Sequence, residues 1–417
     1  MIRAIKGTRD ILPPASATWN HVEDVTRRVF RSYNYQEIRT PVFEETALFA
    51  RGVGEETDIV SKEMYTFEDR DGTSLTLRPE NTAPVIRAYI EHSLDQIPGL
   101  KKLYYIGPMF RRERPQKGRY RQFYQIGAEA IGSESPAVDA EVIEMVTELL
   151  RAVGLDEFQL LLNSVGCAEC RPKFVARLRE ELTQAAPRMC EDCRRRAAAN
   201  ALRVLDCKVP EDQPIIDRLP SILDHLCPPC AGHFEAVKSF LSDRGIGFEV
   251  KPRLVRGLDY YMRTTFEITH GALGAQNSML GGGRYDGLAE SLGSKVKAPG
   301  IGFSIGEDRL VMAVEEARPE LAKQGVELFI APMGDAALRH CSLLARDLRR
   351  GGVTVELAAE GRLKRLMELA NKSGAKRTLI VGENEIAAGA YMLKDMTSGE
   401  QAGVSRDALI GILKNNN

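Results

Sequence analysis

Hydrophobic and polar positions divide the chain into stretches of different period. Ala17 to Tyr33 carries apolar residues at helical spacing and reads as an amphipathic helix. Ser135-Pro136 is a helix start, with proline at the first helical position, where its missing N–H costs nothing. Val138, Val142, Val146 and Leu149, with Ile143 and Leu150, then mark one apolar face to about Val153. Glu157 to Leu162 reads as a buried strand. Beyond about 166 the pattern becomes helical and rich in Arg, Lys and Glu, up to about 245. Strand patterns return at Glu249 to Val255 and Thr264 to Thr269, followed by Gly281-Gly282-Gly283, whose glycines permit close backbone approach to a ligand, with a tight turn before a helix as the plainer alternative. A helix over about Asp308 to Glu316 precedes a linker, Ala317 to Gly325, that contains Pro319.

The last segment alternates. Glu327 to Ala331, Val353 to Leu357 and Arg377 to Val381 read as strands. Ala336 to Arg350 and Arg362 to Ser373 read as helices. Strands separated by helices of that length predict a small α/β domain with a largely parallel sheet. No tandem repeat appears, and the terminal Asn415-Asn416-Asn417 is expected to fray.

The length, 417 residues, calls for about three domains. Lys+Arg is 57 and Asp+Glu is 58, a net charge of −1, so any nucleic-acid contact must come from local patches. No apolar run reaches the roughly 18 residues of a spanning helix, so no membrane association is expected. MIRAIKGTRD has no apolar leader core. Eight cysteines without such a leader read as reduced thiols in a cytoplasmic protein.

The densest chemistry lies in YIGPMFRRERPQKGRYRQFYQIGAE, Tyr105 to Glu129. Six cations, Arg111, Arg112, Arg114, Lys117, Arg119 and Arg121, fall in one short span, with Lys101-Lys102 upstream. Apolar and aromatic residues on both sides predict two strands joined by a basic loop. Such a hairpin can offer guanidinium groups to phosphates, and Phe123 can stack on a base. A solvated basic loop is the plainer alternative. Neither a P-loop nor a dinucleotide fingerprint is present, so a bound nucleotide must be held by arginines.

Phe110-Arg111-Arg112-Glu113 with Arg119-Tyr120-Arg121-Gln122-Phe123 resembles motif 2 of the class II aminoacyl-tRNA synthetases. Gly306-Glu307-Asp308-Arg309-Leu310 resembles their motif 3. Arg39-Thr40-Pro41-Val42-Phe43-Glu44 resembles motif 1, with its interface proline. Leu254-Val255-Arg256-Gly257-Leu258-Asp259-Tyr260-Tyr261 and Leu280-Gly281-Gly282-Gly283-Arg284-Tyr285-Asp286-Gly287-Leu288 resemble the two signatures of the histidyl-tRNA synthetase family. Lys6-Gly7-Thr8-Arg9-Asp10 and Leu77-Arg78-Pro79-Glu80 match it too.

The resemblance spans essentially the whole chain. It implies an α+β catalytic core, with an antiparallel sheet flanked by helices, over 1–165 and 246–318. It further implies a helical insertion over 166–245 and a C-terminal α/β anticodon-binding domain over 326–417. The implied activity is a histidine–tRNA ligase using ATP with Mg2+, a homodimer, acting on L-histidine and its tRNA. Arg111 and Arg256 are implied as the catalytic cations at the α-phosphate. Glu113, Arg119, Phe123 and Arg309, with Arg111, are implied to hold ATP. Glu80, Asn81, Thr82, Gln125, Glu129, Tyr260 and Tyr261 are implied to hold histidine. At 81 the family pattern has glycine; asparagine tolerates a left-handed backbone, which would keep the turn. Arg114 and Gln116 would meet the acceptor end of the tRNA. Arg362, Lys364, Arg365, Lys372, Lys376 and Arg377 would meet its anticodon arm, or else form a solvated helix face. The alternative is a histidine-binding regulatory subunit of ATP phosphoribosyltransferase, a paralogue that normally lacks the last domain and the full set of ATP-binding arginines.

Cys167-x2-Cys170, nineteen residues, and Cys190-x2-Cys193 have the spacing of a zinc site, and Cys227-x2-Cys230 adds a third pair. The family's reaction needs no zinc. A catalytic zinc is therefore not expected, and a structural one stays open. Cys207 and Cys341 read as bland thiols.

Overall fold

The computed structural model describes residues 2–54, 57–116, 118–271, 278–322 and 325–414. Lys117 and Asn415 to Asn417 lie outside that set. The chain divides into two compact units, 1–319 and 320–417.

The first unit is organised by an eight-stranded sheet. Its order is Gln36–Glu37, Lys101–Phe110, Gln122–Ile131, Gly300–Gly306, Ser278–Arg284, Met262–His270, Phe158–Ser164 and Glu249–Val250. Every pairing is antiparallel except the two outermost, which join the two-residue edge strands in parallel. The long hairpin of the basic region pairs Lys101 with Ile131 and Phe110 with Gln122. Arg111 to Arg121 is therefore the loop at its far end.

Helices cover this sheet. Ala15–Ser32 buries Trp19, Val22, Val25 and Phe30, the stripe that its helical spacing presents to one side. Pro136–Ala152 begins where the Ser135 side chain accepts the N–H of Ala137, a cap of the kind that contributes about 1 kcal/mol. It ends at Ala152. A small sheet, Phe43–Glu45, Ser74–Leu77 and Tyr65–Glu68, lies apart from the large one.

Residues 170–243 hold helices Cys170–Ala185, Glu191–Ala199 and Pro228–Asp243, joined by short 3-10 turns. Phe174, Leu178, Leu182, Val204, Leu205 and Ile216 form a core of their own there. The last helix is tied elsewhere. His233 meets Asp139 at 2.8 Å and Arg244 meets Glu144 at 2.8 Å, both on Pro136–Ala152.

Three expectations differ from the structure. Of the two readings of Gly281-Gly282-Gly283, the alternative turn does not hold: the three are the middle of a buried strand. The expected strand over Glu249 to Val255 stops at Val250, because Pro252 cannot donate to a ladder. Asn81 has φ −124°, so no left-handed turn is needed there.

The second unit has a five-stranded sheet ordered Val355–Leu357, Leu328–Pro332, Arg377–Val381, Ala390–Asp395 and Gln401–Ser405. The first three are parallel and the last two antiparallel. A parallel core thus carries an antiparallel hairpin that the helix–strand alternation did not reveal, and the sheet is mixed. Asp335–Arg350 packs Leu344 and Leu348 on it.

Candidate active site

The floor of the site is the centre of the large sheet, and its glycines make the room. A side chain at Gly281 would run into the Arg256 guanidinium, and one at Gly302 into the Glu129 carboxylate. Gly302 and Glu129 are direct cross-strand partners, and Gly281 pairs with Glu267. Each glycine therefore leaves space for the charged group beside it.

A cleft of about 440 Å3 lies over this floor. Arg111, Glu113, Arg119, Phe123, Gln125, Arg256, Tyr261 and Arg309 all line it. Residues from three separate parts of the sequence thus share one cavity. Arg111 donates Nε–H to the carbonyl of Pro79 at 2.9 Å, and its guanidinium lies 5.2 Å from the Phe123 ring centre. Glu113 accepts from Arg119 at 3.2 Å and lies 3.9 Å from Arg111. Arg309 donates to the Ser278 carbonyl at 2.5 Å. Burial and the nearby charge of Arg119 both push its pKa down. Guanidinium groups whose charges act on each other across one cleft can hold a polyanion, with Glu113 and Glu267 offsetting part of that charge.

Arg256 projects into the cleft from the segment before Met262–His270 and is held by an ion pair with Glu267 on that strand. The segment 257–261 also leans on the helical insertion. Asn200 donates to Asp259 at 3.2 Å, and Arg171 donates to the backbone carbonyl of Tyr261.

Behind the cleft is a smaller, buried polar cluster. Thr82 Oγ1 donates to Glu129 at 2.8 Å and Tyr285 Oη donates to it at 2.6 Å. Glu80 accepts the backbone N–H of Thr82 at 2.8 Å and of Ala83 at 3.0 Å, at the start of helix Thr82–Glu91. Tyr260 Oη lies 3.4 Å from the same carboxylate. The Tyr260 and Tyr261 rings sit 4.8 Å apart, tilted at 57° to each other. Burial raises the pKa of Glu129 to about 8, against the opposing pull of the Tyr285 and Thr82 hydroxyls. Burial also raises Glu80, while the two backbone N–H groups hold it down. Among the described residues the buried Gln125 Oε1 has no hydrogen-bond partner. Asn81 turns its amide oxygen to Thr40 at 2.6 Å and to Arg78 at 3.4 Å.

Sequence reasoning missed three residues. Tyr285 stood inside a quoted signature and could have been found there. Glu267 and Arg171 carry no local signal, since one is a strand glutamate and the other a helix arginine. Two matched stretches turn out to brace the site. Arg9 reaches Asp308 at 2.7 Å, and the Gly7 carbonyl accepts the Arg121 N–H at 2.7 Å. Arg78 donates to Pro108 at 2.9 Å and to the Thr40 carbonyl at 3.0 Å, tying the first motif to the basic hairpin. Arg114 and Gln116 are exposed on the hairpin loop. Arg362, Lys364, Arg365, Lys372 and Lys376 are exposed, and Arg377 is half-buried, in the second unit.

Comparison with known proteins agrees with this geometry. Residues 7–310 match the family described as histidyl-tRNA synthetase, and residues 327–416 match the anticodon binding domain. The chain is 72% identical to a histidine–tRNA ligase of Solibacter usitatus, over 98% of each chain. It is 57% identical to that of Koribacter versatilis, over 100% of this chain and 96% of the other. The crystal structure of apo histidyl-tRNA synthetase from S. aureus superposes with a TM-score of 0.81 at 37% identity, covering 99% of this chain and 100% of that one.

Proposed function

The chain belongs to the histidyl-tRNA synthetase family, with histidine–tRNA ligase activity, and on that footing we propose how its residues divide the work. The cleft lined by Arg111, Arg119, Arg256 and Arg309 takes ATP. The buried cluster of Glu80, Thr82, Gln125, Glu129, Tyr260 and Tyr261 takes histidine. The single observation that carries this division is that one cavity joins four arginines to the mouth of a buried, carboxylate-bearing pocket.

The chemistry suits these groups. The histidine carboxylate is ionised at neutral pH and is itself the nucleophile at the α-phosphorus. A new P–O bond forms as the bond to pyrophosphate breaks, and no base has to remove a proton. The barrier comes from bringing anions together and from charge building on phosphorus. Arg111 and Arg256 would neutralise that charge at the α-phosphate, while Arg119 and Arg309 hold the outer phosphates. Phe123 and the Arg309 guanidinium would sandwich the adenine, with Glu113 at its edge. Mg2+ would accompany the phosphates; Glu267, which lines the same cleft, would offer it a hard oxygen donor.

On the substrate side, Glu80 uses one lone pair of each oxygen on backbone N–H and keeps others for an ammonium. The partnerless Gln125 Oε1 can accept from the same ammonium. Glu129 and Tyr261 would read the two ring nitrogens, with Tyr260 lining the pocket. A site that pairs both rejects amino acids lacking either. Asn81 would act one step back, steadying Thr40 and Arg78. In the second step the ribose at the tRNA 3′ end takes the histidyl group, with Arg114 and Gln116 at the acceptor end. The exposed cations of the second unit would meet the anticodon arm.

A homodimer is supported by exposed apolar residues beside the first motif. Val42, Phe43 and Phe67 are exposed, and the Phe43 and Phe67 rings sit 6.4 Å apart. No helix among the described residues is long and apolar enough to cross a membrane, and a cytoplasmic location goes with this reading.

ATP–pyrophosphate exchange with each amino acid supplied singly tests it. Exchange with histidine alone is expected, followed by charging of the histidine tRNA. Exchange with another amino acid would overturn the pocket built on Glu129 and Tyr261. Histidine binding without exchange would instead favour the regulatory subunit and remove the arginines from catalysis.

A further inference from the structure

The cysteines are not scattered through the insertion. Among the described residues they form two groups, Cys167, Cys170, Cys227 and Cys230, and Cys190, Cys193 and Cys207 with Asp212. The seven are free thiols. The first group is sulfur alone, while the second has a carboxylate among its thiols. In the second, Asp212 accepts the Cys190 N–H at 3.1 Å and the Cys207 thiol at 3.3 Å, and the Cys190 and Cys207 sulfurs accept from the backbone of Cys193 and Val209. Its carboxylate is thus taken up by a thiol and a backbone N–H.

The first group is different. Cys167 and Cys170 sulfurs lie 3.8 Å apart, Cys167 and Cys227 3.7 Å, and Cys170 and Cys230 3.9 Å. All four sulfurs lie within 4.8 Å of one another. Disulfide bonds would need about 2.05 Å. A tetrahedron with Zn–S bonds of about 2.3 Å has an edge of about 3.8 Å. Two sulfurs in van der Waals contact would stand at a similar distance. Simple packing gives no reason, however, for two C-x2-C turns 60 residues apart to aim four sulfurs at one point. A larger iron–sulfur cluster would hold its thiolates farther apart than this.

The surroundings suit a dianionic tetrathiolate. Cys170 opens the 16-residue helix Cys170–Ala185, and Cys227 and Cys230 open the 16-residue helix Pro228–Asp243. Both helices present their positive ends to the sulfurs. Arg171 and Arg263 add positive charge nearby. At Gly166 (φ +69°) a side chain would strike the Cys170 sulfur, so the chain must turn there on glycine.

We propose that Cys167, Cys170, Cys227 and Cys230 bind one Zn2+ as a structural tetrathiolate that pins the two ends of the helical insertion together. The site sits one residue from Arg171, whose guanidinium holds the Tyr261 backbone carbonyl. The metal therefore steadies the segment that carries Tyr260 and Tyr261, and Arg171 is the positioning residue between them. This second half rests on the histidine-pocket reading; the metal site itself does not.

The test is metal analysis of the full-length protein expressed with zinc. One zinc per chain is expected, with an X-ray absorption shell of four sulfurs at about 2.3 Å. Cys227→Ser/Cys230→Ser should lower the count by one per chain, and Cys190→Ser/Cys193→Ser should leave that zinc in place. A parent without zinc, or a count that Cys227→Ser/Cys230→Ser does not change, overturns the site. Should the double variant fail to fold, the absorption spectrum of the parent decides: a nitrogen and oxygen shell rejects the tetrathiolate. Arg171→Met should keep its zinc and raise the KM for histidine about tenfold, with kcat little changed. An unchanged KM in zinc-loaded Arg171→Met overturns the positioning role and leaves the metal site standing.

Discussion

The Arg256 guanidinium occupies the space that any side chain at Gly281 would fill. Gly281 has no positive φ, so its backbone does not demand glycine. What demands it is the arginine lying across the strand.

Gly281→Ala should therefore fold almost normally, within about 1 kcal/mol of the parent, because the displaced group is the end of a flexible chain. The exchange rate should nevertheless fall on the order of 10²-fold, since Arg256 is pushed off its position. Arg256→Ala should lose as much or more, and the double variant should lose little beyond Arg256→Ala. Additive losses in that cycle would show that the two residues act independently.

Glu129 should make stability depend on pH. Its ordinary pKa of 4.5 is raised to about 8 in the folded protein. Between those values the unfolded chain has lost the proton and the folded protein keeps it. Stability contributed by this group is thus fully present below about pH 4.5 and falls as pH rises towards 8. Glu129→Gln cannot titrate. Melting temperatures of the two proteins, compared across this window without ligand, should diverge in favour of the variant as pH climbs. A constant gap would mean that the carboxyl titrates in its ordinary range.

Arg284 should be structural. It is fully buried, with Asp139 at 2.8 Å, Asp286 at 2.7 Å and the Ser133 carbonyl at 2.9 Å. Arg284→Met strands buried carboxylates and should cost about 3–5 kcal/mol in urea unfolding. A loss of activity with unchanged stability would place Arg284 in the chemistry instead.

Arg119→Ala and Arg309→Ala should each raise the KM for ATP about tenfold or more, the loss expected for a charged hydrogen bond. The KM for histidine should stay near the parent value. Equal changes in both constants would mean that the cleft and the buried pocket collapse together.

Phe43→Glu/Phe67→Glu should shift the protein towards monomer in sedimentation velocity. It places like charges where two apolar surfaces are proposed to meet. A parent that is itself monomeric would remove the dimer.

Local patterns were enough for several parts of this protein. Ser135-Pro136 marked a helix start because capping and proline placement act within one turn. The hairpin around Arg111 to Arg121 was legible because alternating apolar residues flank a basic loop. Arg111 and Arg119 stood out within that basic hairpin, whereas Arg256 and Arg309 were legible only through resemblance, since an isolated arginine has no pattern of its own. The hairpin Ala390–Asp395 and Gln401–Ser405 went unseen, because short strands with few buried residues leave almost no period to read.

The sequence by itself determined the motif order and the residue types the chemistry needs, because those are local, and the family followed from what those motifs resemble. Tertiary structure alone decided which partners those residues take. Glu267 against Arg256, Tyr285 against Glu129, and Cys167 against Cys227 are pairs far apart in the chain or set by strand register. Gly281 to Gly283 show the same limit. The sequence left close backbone approach and a turn both open, and only the neighbouring strands and the arginine across them explain why the glycines lie flat in a buried sheet. Such contacts depend on how elements pack, and packing is a sum over distant residues that no short window contains.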